Sequence, residues 1–412
     1  MTVWLRGDHL VRDRGPVARR SDERVLLLEA ESFARKLPYH PHKLTLVFAA
    51  MRQFRDDLRA AGRTVDYRQV DSFETGLAAH FAANPDDRLV TTEPQAAGAR
   101  ERIETLVEEA GGTVEFVADE RFLSSADQFD DWAGDGRYRH EDFYRFMRRE
   151  TGYLMDDGDP VGGEWNYDDQ NRETPPDDWE PADPPTFEMD ETTRETAEWV
   201  ESTFTGGYDD PPYGGDWADP ERFRWPVTRR QAVRALDHFV THRLTDFGPY
   251  QDAMRDEEWA MSHSLLSTSL NIGLLSPAEV IERAIAAYDD GEAPLNSVEG
   301  FVRQVLGWRE FYWTGETDMA CLSDVVDGVR ERGYSHHIER LMILANFGLI
   351  YGVEPAQLNR WFHAGYVDAF HWVTTPNVVE MGLYGAGVFA TKPYASSANY
   401  IDKMSDYCSG CP

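Results

Sequence analysis

The sequence predicts an α/β domain with a Rossmann-like, doubly wound parallel sheet, followed by an all-α domain. Three observations carry that expectation. Strand-like and helical patterns alternate up to about Asp119, prolines crowd the middle of the chain, and everything after Trp225 has helical periodicity. At 412 residues the chain is long enough for two or three domains with sizeable cores.

Taken in order, "TVWL", "RVLLLEA", "TVDYRQV", "RLVTTEP" and "TVEFVAD" read as strands. Between the second and third, "HKLTLVFAAMRQFRDDLRAAG" spaces Leu44, Val47, Phe48, Met51, Phe54 and Leu58 at helical intervals, with Gly62 as the stop. "GARERIETLVEEAGG" predicts a second helix. Such alternation implies parallel strands. No G-x-G-x-x-G follows the first strand; "RGDHL" stands there instead. The motif of an ordinary dinucleotide fold is therefore missing, while the carboxyl ends of the strands stay open to a ligand.

The expected boundaries are 1–125 for the α/β domain, 126–225 for a connection and 226–412 for the helical domain. The connection opens on a basic helical segment, "GRYRHEDFYRFMRRETGYLM". Nine of the 22 prolines then fall between Asp156 and Trp225, which predicts a long irregular stretch with one helical piece at "ETTRETAEWVEST". Beyond it, "WPVTRRQAVRALDHFVTHRL", "SPAEVIERAIAAY", "SVEGFVRQVLGWREFYW", "SHHIERLMILANFGLIYG" and "EPAQLNRWFHAGYVDAFHWV" all read as helix. Ser276-Pro277 and Glu354-Pro355 are helix starts with Pro at the first helical position.

The formal net charge is −33, and only four of the 41 basic residues are Lys. The acids are spread along the whole chain rather than gathered in a tail. That favours a solvated acidic surface kept soluble in very high salt over a binder of cations or basic proteins. In concentrated salt, long-range repulsion is screened within a few ångströms, so the charge does not exclude a nucleic-acid partner. Local Arg patches then matter more than the total. No apolar run approaches the length of a membrane span, and the N-terminus lacks the apolar core of a secretion signal. Three cysteines cannot make a disulfide framework, which fits a reducing cytoplasm.

Two of those cysteines close the chain, in "YIDKMSDYCSGCP". A thioredoxin-type C-x-x-C should follow a strand and open a helix, and this pair instead stands behind a helical domain. Structural zinc needs four ligands, and an iron–sulfur cluster wants four thiolates. Cys321, Cys408 and Cys411 supply three. Three unrelated buried thiols remain a further reading of the residues alone.

Longer motifs add to this. "HSLLSTSLNIGLLSP", "VEGFVRQVLGWREF", "SHHIERLM", "TTPNVVEMGLYG" and "TKPYASSANYIDKMSDYCSGC" resemble the photolyase–cryptochrome superfamily, in particular its iron–sulfur branch, the bacterial and archaeal (6-4) photolyase-related proteins. "RGDHL", "HKLTLVFAAMRQF" and "GGEWNYDDQNR" resemble the same branch, so the similarity spans nearly the whole chain. It implies an α/β antenna domain, with lumazine or deazaflavin as possible antenna, and a helical domain holding folded FAD. It also implies light-driven, FAD-dependent repair of UV photoproducts, with UV-damaged DNA as partner and a monomeric protein. A cryptochrome-like photoreceptor without repair activity and an inactive truncated family member are the alternatives. The three cysteines match three ligands of the family's [4Fe-4S] cluster, whose fourth falls beyond the end of this chain. "GWRE" runs almost directly into "FYWTGETDMAC", where relatives place more helix and a loop.

The resemblance assigns residues as well. Ser264, Ser267, Ser269 and nearby amides suit a pyrophosphate, although helix capping explains the same serines. Tyr250, Asn271 and Asn377 are expected to bind the cofactor. Gln304 and Trp308, four apart on one helix face, match flavin-contacting positions. Arg340 and Asp368 match a charged pair beside the isoalloxazine. His336 and His337 point about 100° apart on a helix. His336 is expected on the lesion side as a proton donor, and His337 toward the flavin. Trp361 and Tyr400 match electron-transfer positions, and Phe362 stands where relatives often have Tyr. Arg137, Arg139, Arg145, Arg148, Arg149 and Lys392 are expected at DNA phosphates.

Overall fold

The structure, a computed structural model, describes residues 1–95, 98–133, 140–204, 219–255, 258–309, 325, 328–329, 331–384 and 395–405. The chain divides into two compact units. The first comprises Met1–Phe122, Phe187–Ala232 and Thr268–Leu274; the second comprises Leu123–Thr186, Val233–Ser267 and Leu275–Pro412. The stretch 126–225, expected as a single connection, is thus divided between the two.

Five parallel strands form the sheet of the first unit: β1 (Thr2–Leu5), β2 (Arg24–Ala30), β3 (Val65–Val70), β4 (Arg88–Thr92) and β5 (Thr113–Val117). Their order is β3-β2-β1-β4-β5, and every pairing is parallel. The central β1 is buried along its whole length, whereas the outer β3 and β5 are only partly covered. That is why "TVWL" and "VLLL" are continuous apolar runs rather than alternating ones. Helices α1 (Pro41–Ala60), α2 (Phe73–Ala83) and α3 (Ala99–Glu109) make the crossovers. Leu77 and Phe81 of α2 and Ile103 and Val107 of α3 pack with Trp4, Leu26, Leu28 and Leu89 into one cluster. Phe48 of α1 meets Trp199 and Phe204 of the helix Glu191–Phe204, ring centroids 5.2 and 6.2 Å apart.

"RGDHL" closes the crevice beyond β1, where the strand order reverses. Arg6 donates to the Thr91 hydroxyl and the Thr92 carbonyl, at 3.0 and 2.9 Å. Arg121, buried, bridges Asp119 and Asp8 at 2.7 and 3.3 Å, and His9 lies 2.8 Å from Asp8. Around His9, Asp119 and Arg121 only about 10 Å³ stays open, roughly one water.

The second unit is helical. His140–Thr151 comes from the basic segment, and Pro277–Asp289 starts at the expected Ser276, whose hydroxyl accepts from Glu279 N–H while the Glu279 carboxylate returns to Ser276 N–H. Leu295–Val302 continues into a π-helical stretch, Arg303–Arg309. Two further π-helical stretches, Glu339–Ala345 and Asn377–Gly382, lie beyond it. Met254, Ile343, Leu358, Phe362, Tyr366 and Ile401 belong to one buried cluster of this unit.

Candidate functional site

Three imidazoles meet in the second unit. His336 enters a helical turn there: its N–H donates to Glu339 Oε2 at 3.0 Å, and its Nε2 lies 3.2 Å from Glu339 Oε1. His263 stacks on His336, with centroids 4.5 Å apart and planes 15° from parallel. His337 meets His263 edge-on at 5.1 Å. One nitrogen from each of the three lies within 4.8 Å of the others. Chelation nevertheless does not follow. A metal must lie close to the plane of each ligand ring, and two nearly parallel rings cannot aim their in-plane lone pairs at one ion about 2 Å from each.

Burial separates the three rings. His336 is 0% exposed and His263 5%, whereas the His337 side chain is 39% exposed. Of the adjacent pair, His336, expected on the lesion side, is thus the buried one, and His337, expected toward the flavin, is the open one. Its Nε2 lies 3.8 Å from Asp252 Oδ1. Partial desolvation of the half-buried ring lowers the His337 pKa and Asp252 partly opposes it. His263 is held well below the usual histidine range, first by burial and then by the other two imidazoles. His263 Nε2 and His336 Nδ1 have no hydrogen-bond partner.

The loop bearing His263 is held by force of geometry. Met261 and Leu265 take left-handed conformations, φ 42° and 57°, each costing of order 1–3 kcal/mol for a non-glycine residue. Arg243, buried, donates to the carbonyls of Ala260, at 3.0 Å, and Met261. Burial takes the Arg243 guanidinium down to about 10.

Arg340 begins one turn after His336, and its N–H donates to the His336 carbonyl at 3.1 Å. Its Nε donates to the Ser335 carbonyl at 2.6 Å and its Nη2 to Asp368 Oδ2 at 3.1 Å. The Ser267 hydroxyl donates to the same carboxylate oxygen at 2.6 Å. Burial works against the Arg340 charge, but Asp368, Tyr366 and Tyr334 together outweigh it and the pKa rises. Arg340 also covers the rings of Tyr366 and Tyr334, at 4.3 and 4.9 Å. So Ser267, His336, His337, Arg340 and Asp368, named from sequence, form one connected site, together with His263 and Asp252, which were not.

Other named residues fall differently. Gln304 and Trp308 sit in the π-helical stretch Arg303–Arg309, and Asn377 opens another, donating from Nδ2 to the Val373 carbonyl at 2.8 Å. Each of the three widened turns thus carries a named residue, as such turns often do at functional sites. Ser264 accepts a long bond from Leu266 N–H, 3.5 Å, and Tyr250 packs edge-on to Trp179 at 4.9 Å. Asn271 belongs to the first unit, where its carbonyl accepts from Arg121 at 3.2 Å. Trp361 and Tyr400 border the buried cluster of the second unit, and burial takes the Tyr400 phenol up to about 12. Trp361 contacts Phe362 at 5.4 Å and Tyr366 at 6.1 Å.

Arg148 corrects an expectation. It is 1% exposed, and its guanidinium donates to the carbonyls of Tyr153, Leu154 and Trp165, so it builds the fold and does not reach a phosphate. Arg145 pairs with Glu141 at 2.9 Å, and the exposed Arg149 covers the Trp165 ring at 4.6 Å. Arg137, Arg139, Lys392, Cys321, Cys408 and Cys411 lie outside the described residues.

A parallel sheet of order 3-2-1-4-5 ahead of a helical unit is the architecture of photolyases and cryptochromes. A class III photolyase from Agrobacterium tumefaciens superposes with a TM-score of 0.63 at 18% identity, covering 98% of this chain and 83% of its own. The Synechocystis sp. PCC6803 cryptochrome gives 0.61 at 12%, covering 98% and 86%. In sequence, the family described as deoxyribodipyrimidine photo-lyase-related protein matches residues 3–213. The (6-4) photolyase of Agrobacterium fabrum is 38% identical over 427 aligned positions, covering 95% of this chain and 82% of that protein. The chain belongs to the deoxyribodipyrimidine photolyase-related family.

Proposed function

We propose that this protein is a light-driven, FAD-dependent DNA repair enzyme acting on (6-4) photoproducts. The observation that carries the reading is a half-open imidazole, His337, set on a buried imidazole stack beside the Arg340–Asp368 pair. Near-full-length similarity to a (6-4) photolyase supports it.

The second unit fits a polar cofactor. Gln251 Oε1, His263 Nε2 and His336 Nδ1 are buried without partners, and buried polar groups of that kind normally find one. Tyr250, Ser264, Ser267, Gln304, Trp308 and Asn377 are the proposed holders, and Arg340 supplies a fixed cation. FAD, when bound, supplies the electron under light, while the protein supplies orientation and proton management. A damaged dinucleotide is already poorly stacked, which favours its leaving the duplex for a pocket. There His337 donates a proton from Nε2 to the lesion, and Asp252 holds the imidazolium. Trp361 and Tyr400 are proposed to replace the electron, and Arg145, Arg149 and Lys392 to meet phosphates. Cys321, Cys408 and Cys411 are proposed as three ligands of a [4Fe-4S] cluster. A monomer in a salt-rich cytoplasm completes the reading. A lumazine or deazaflavin antenna is proposed as a possible further cofactor of the α/β domain.

The test is repair of an oligonucleotide carrying one defined (6-4) lesion, in light and in dark. Light-dependent repair by the FAD-bearing protein, lost in His337→Ala with the flavin spectrum intact, is the expected result. Flavin that bleaches in light without repair would instead select the photoreceptor reading, which shares this fold.

A further inference from the structure

The first unit holds a polar groove of about 370 Å³, lined by Arg52, Arg55, Arg59, Tyr67, Gln69, Thr192 and Glu195. Its walls follow from periodicity. Arg52, Arg55 and Arg59 recur at i, i+3 and i+7 on α1, so they share one helix face. Tyr67 and Gln69 are two apart on β3 and share one face of that strand. Thr192 and Glu195 are three apart on the helix Glu191–Phe204. All seven side chains therefore stand on regular elements rather than on loops.

The floor is rigid. Glu29, 1% exposed, accepts from Arg52 Nε and Nη2 at 2.8 and 2.9 Å, from Gln69 Nε2 at 2.9 Å and from the Tyr67 hydroxyl. Arg52 is nine-tenths buried and also donates to the Thr196 hydroxyl at 3.0 Å. The rim is different. Arg55 places two nitrogens on Asp56, at 2.8 and 2.7 Å, with its face 4.7 Å from the Tyr67 ring. Arg59 makes one hydrogen bond, Nη2 to the Val65 carbonyl at 3.3 Å. With five N–H donors on each guanidinium, more than half of the donors in the groove have no protein acceptor. In a chain where acids exceed bases by 33, Arg59 forms no ion pair with any described carboxylate.

We propose that this groove is a binding site for a small phosphate-bearing anion, held by the free N–H groups of Arg59 and Arg55 over the Arg52–Glu29 floor. The groove's volume lies in the range of small-molecule sites, and three guanidiniums line it against one carboxylate, Glu195, which suits a polyoxygen anion better than an aromatic body. Guanidinium forks match phosphate bidentately, which matters most in concentrated salt, where the attraction of point charges is screened. Nothing in this assignment depends on flavin or on repair.

Calorimetric titration of the FAD-bearing protein with inorganic pyrophosphate, at constant potassium chloride, tests it. One saturable site is expected, weakened at least tenfold in Arg59→Gln and further in Arg55→Gln/Arg59→Gln. Both residues are outside the buried floor, so the variants should melt like the wild type and retain the flavin spectrum. Absence of saturable binding overturns the proposal. So does equal affinity in wild type and Arg59→Gln, which would place the pyrophosphate elsewhere.

Discussion

His337 can act as an acid only while it carries a proton. Burial, His336 and Arg340 all disfavour its charge, and Asp252 favours it, with the pKa left below the usual 6.5. The sign follows. Repair should be strongest on the acid side and decline as pH rises through a midpoint below 6.5. Asp252→Asn removes the favourable carboxylate and should move that midpoint lower still. Initial repair rates between pH 5 and 8 measure this, and a midpoint that rises in Asp252→Asn would show that another group donates. Sequence made the adjacent pair visible but not its orientation. Two neighbours on a helix diverge by about 100°, and only packing decides which one reaches solvent. His263 was not legible at all. A lone histidine in "MSHSLL" has no periodic signature, and its stacking partner lies 73 residues away in sequence, at His336.

At the scale of elements, Glu299 ties the motif "GGEWNYDDQNR" to the helix Leu295–Val302. It is 0% exposed, and accepts from the Tyr144 hydroxyl at 2.9 Å and Tyr167 N–H at 3.0 Å, with Arg303 Nε 3.3 Å away. Arg303 also reaches Asp168 at 3.1 Å. Glu299→Gln leaves Arg303 with Asp168 as its remaining carboxylate and takes the ionised acceptor from the Tyr144 hydroxyl and the Tyr167 N–H, so it should cost about 1–3 kcal/mol. Tyr144→Phe loses one hydrogen bond to a charged acceptor and should cost about 1.5–3 kcal/mol. Urea unfolding of the two singles and the double variant checks both, with a double that is less than additive because the groups share Glu299. The five strands and the long helices were legible because their apolar spacing is strong. Helix α2 was not: "FETGLAAHFAA" buries only Gly76, Leu77, His80 and Phe81, and its clearest signal was the Ser72–Thr75 capping box. The three π-helical stretches were hidden for another reason. A pattern matched to 3.6 residues per turn passes through one widened turn almost unchanged, while the backbone bonds that widen it leave no mark on composition.

For the whole molecule, the proposed high-salt surroundings make a prediction whose sign is decidable. Salt acts on two opposing terms. Exposed ion pairs such as Arg88–Glu115 and Arg100–Glu104 weaken as they are screened, and each is worth at most about 1 kcal/mol. Repulsion among carboxylates is relieved by the same screening. With a formal net charge of −33, like-charge contacts outnumber those that opposite charges can satisfy, so relief should win. The screening length falls from about 10 Å at 0.1 M to about 3 Å at 1 M. The midpoint of thermal unfolding should therefore rise steadily as potassium chloride goes from 0.1 to 2 M. The buried Arg52–Glu29 and Arg303–Glu299 pairs are shielded from the salt and should change little over this range. A midpoint that falls with salt would mean that exposed ion pairs, not repulsion, dominate the surface, and the salt-adapted reading of the acidic composition would fail with it.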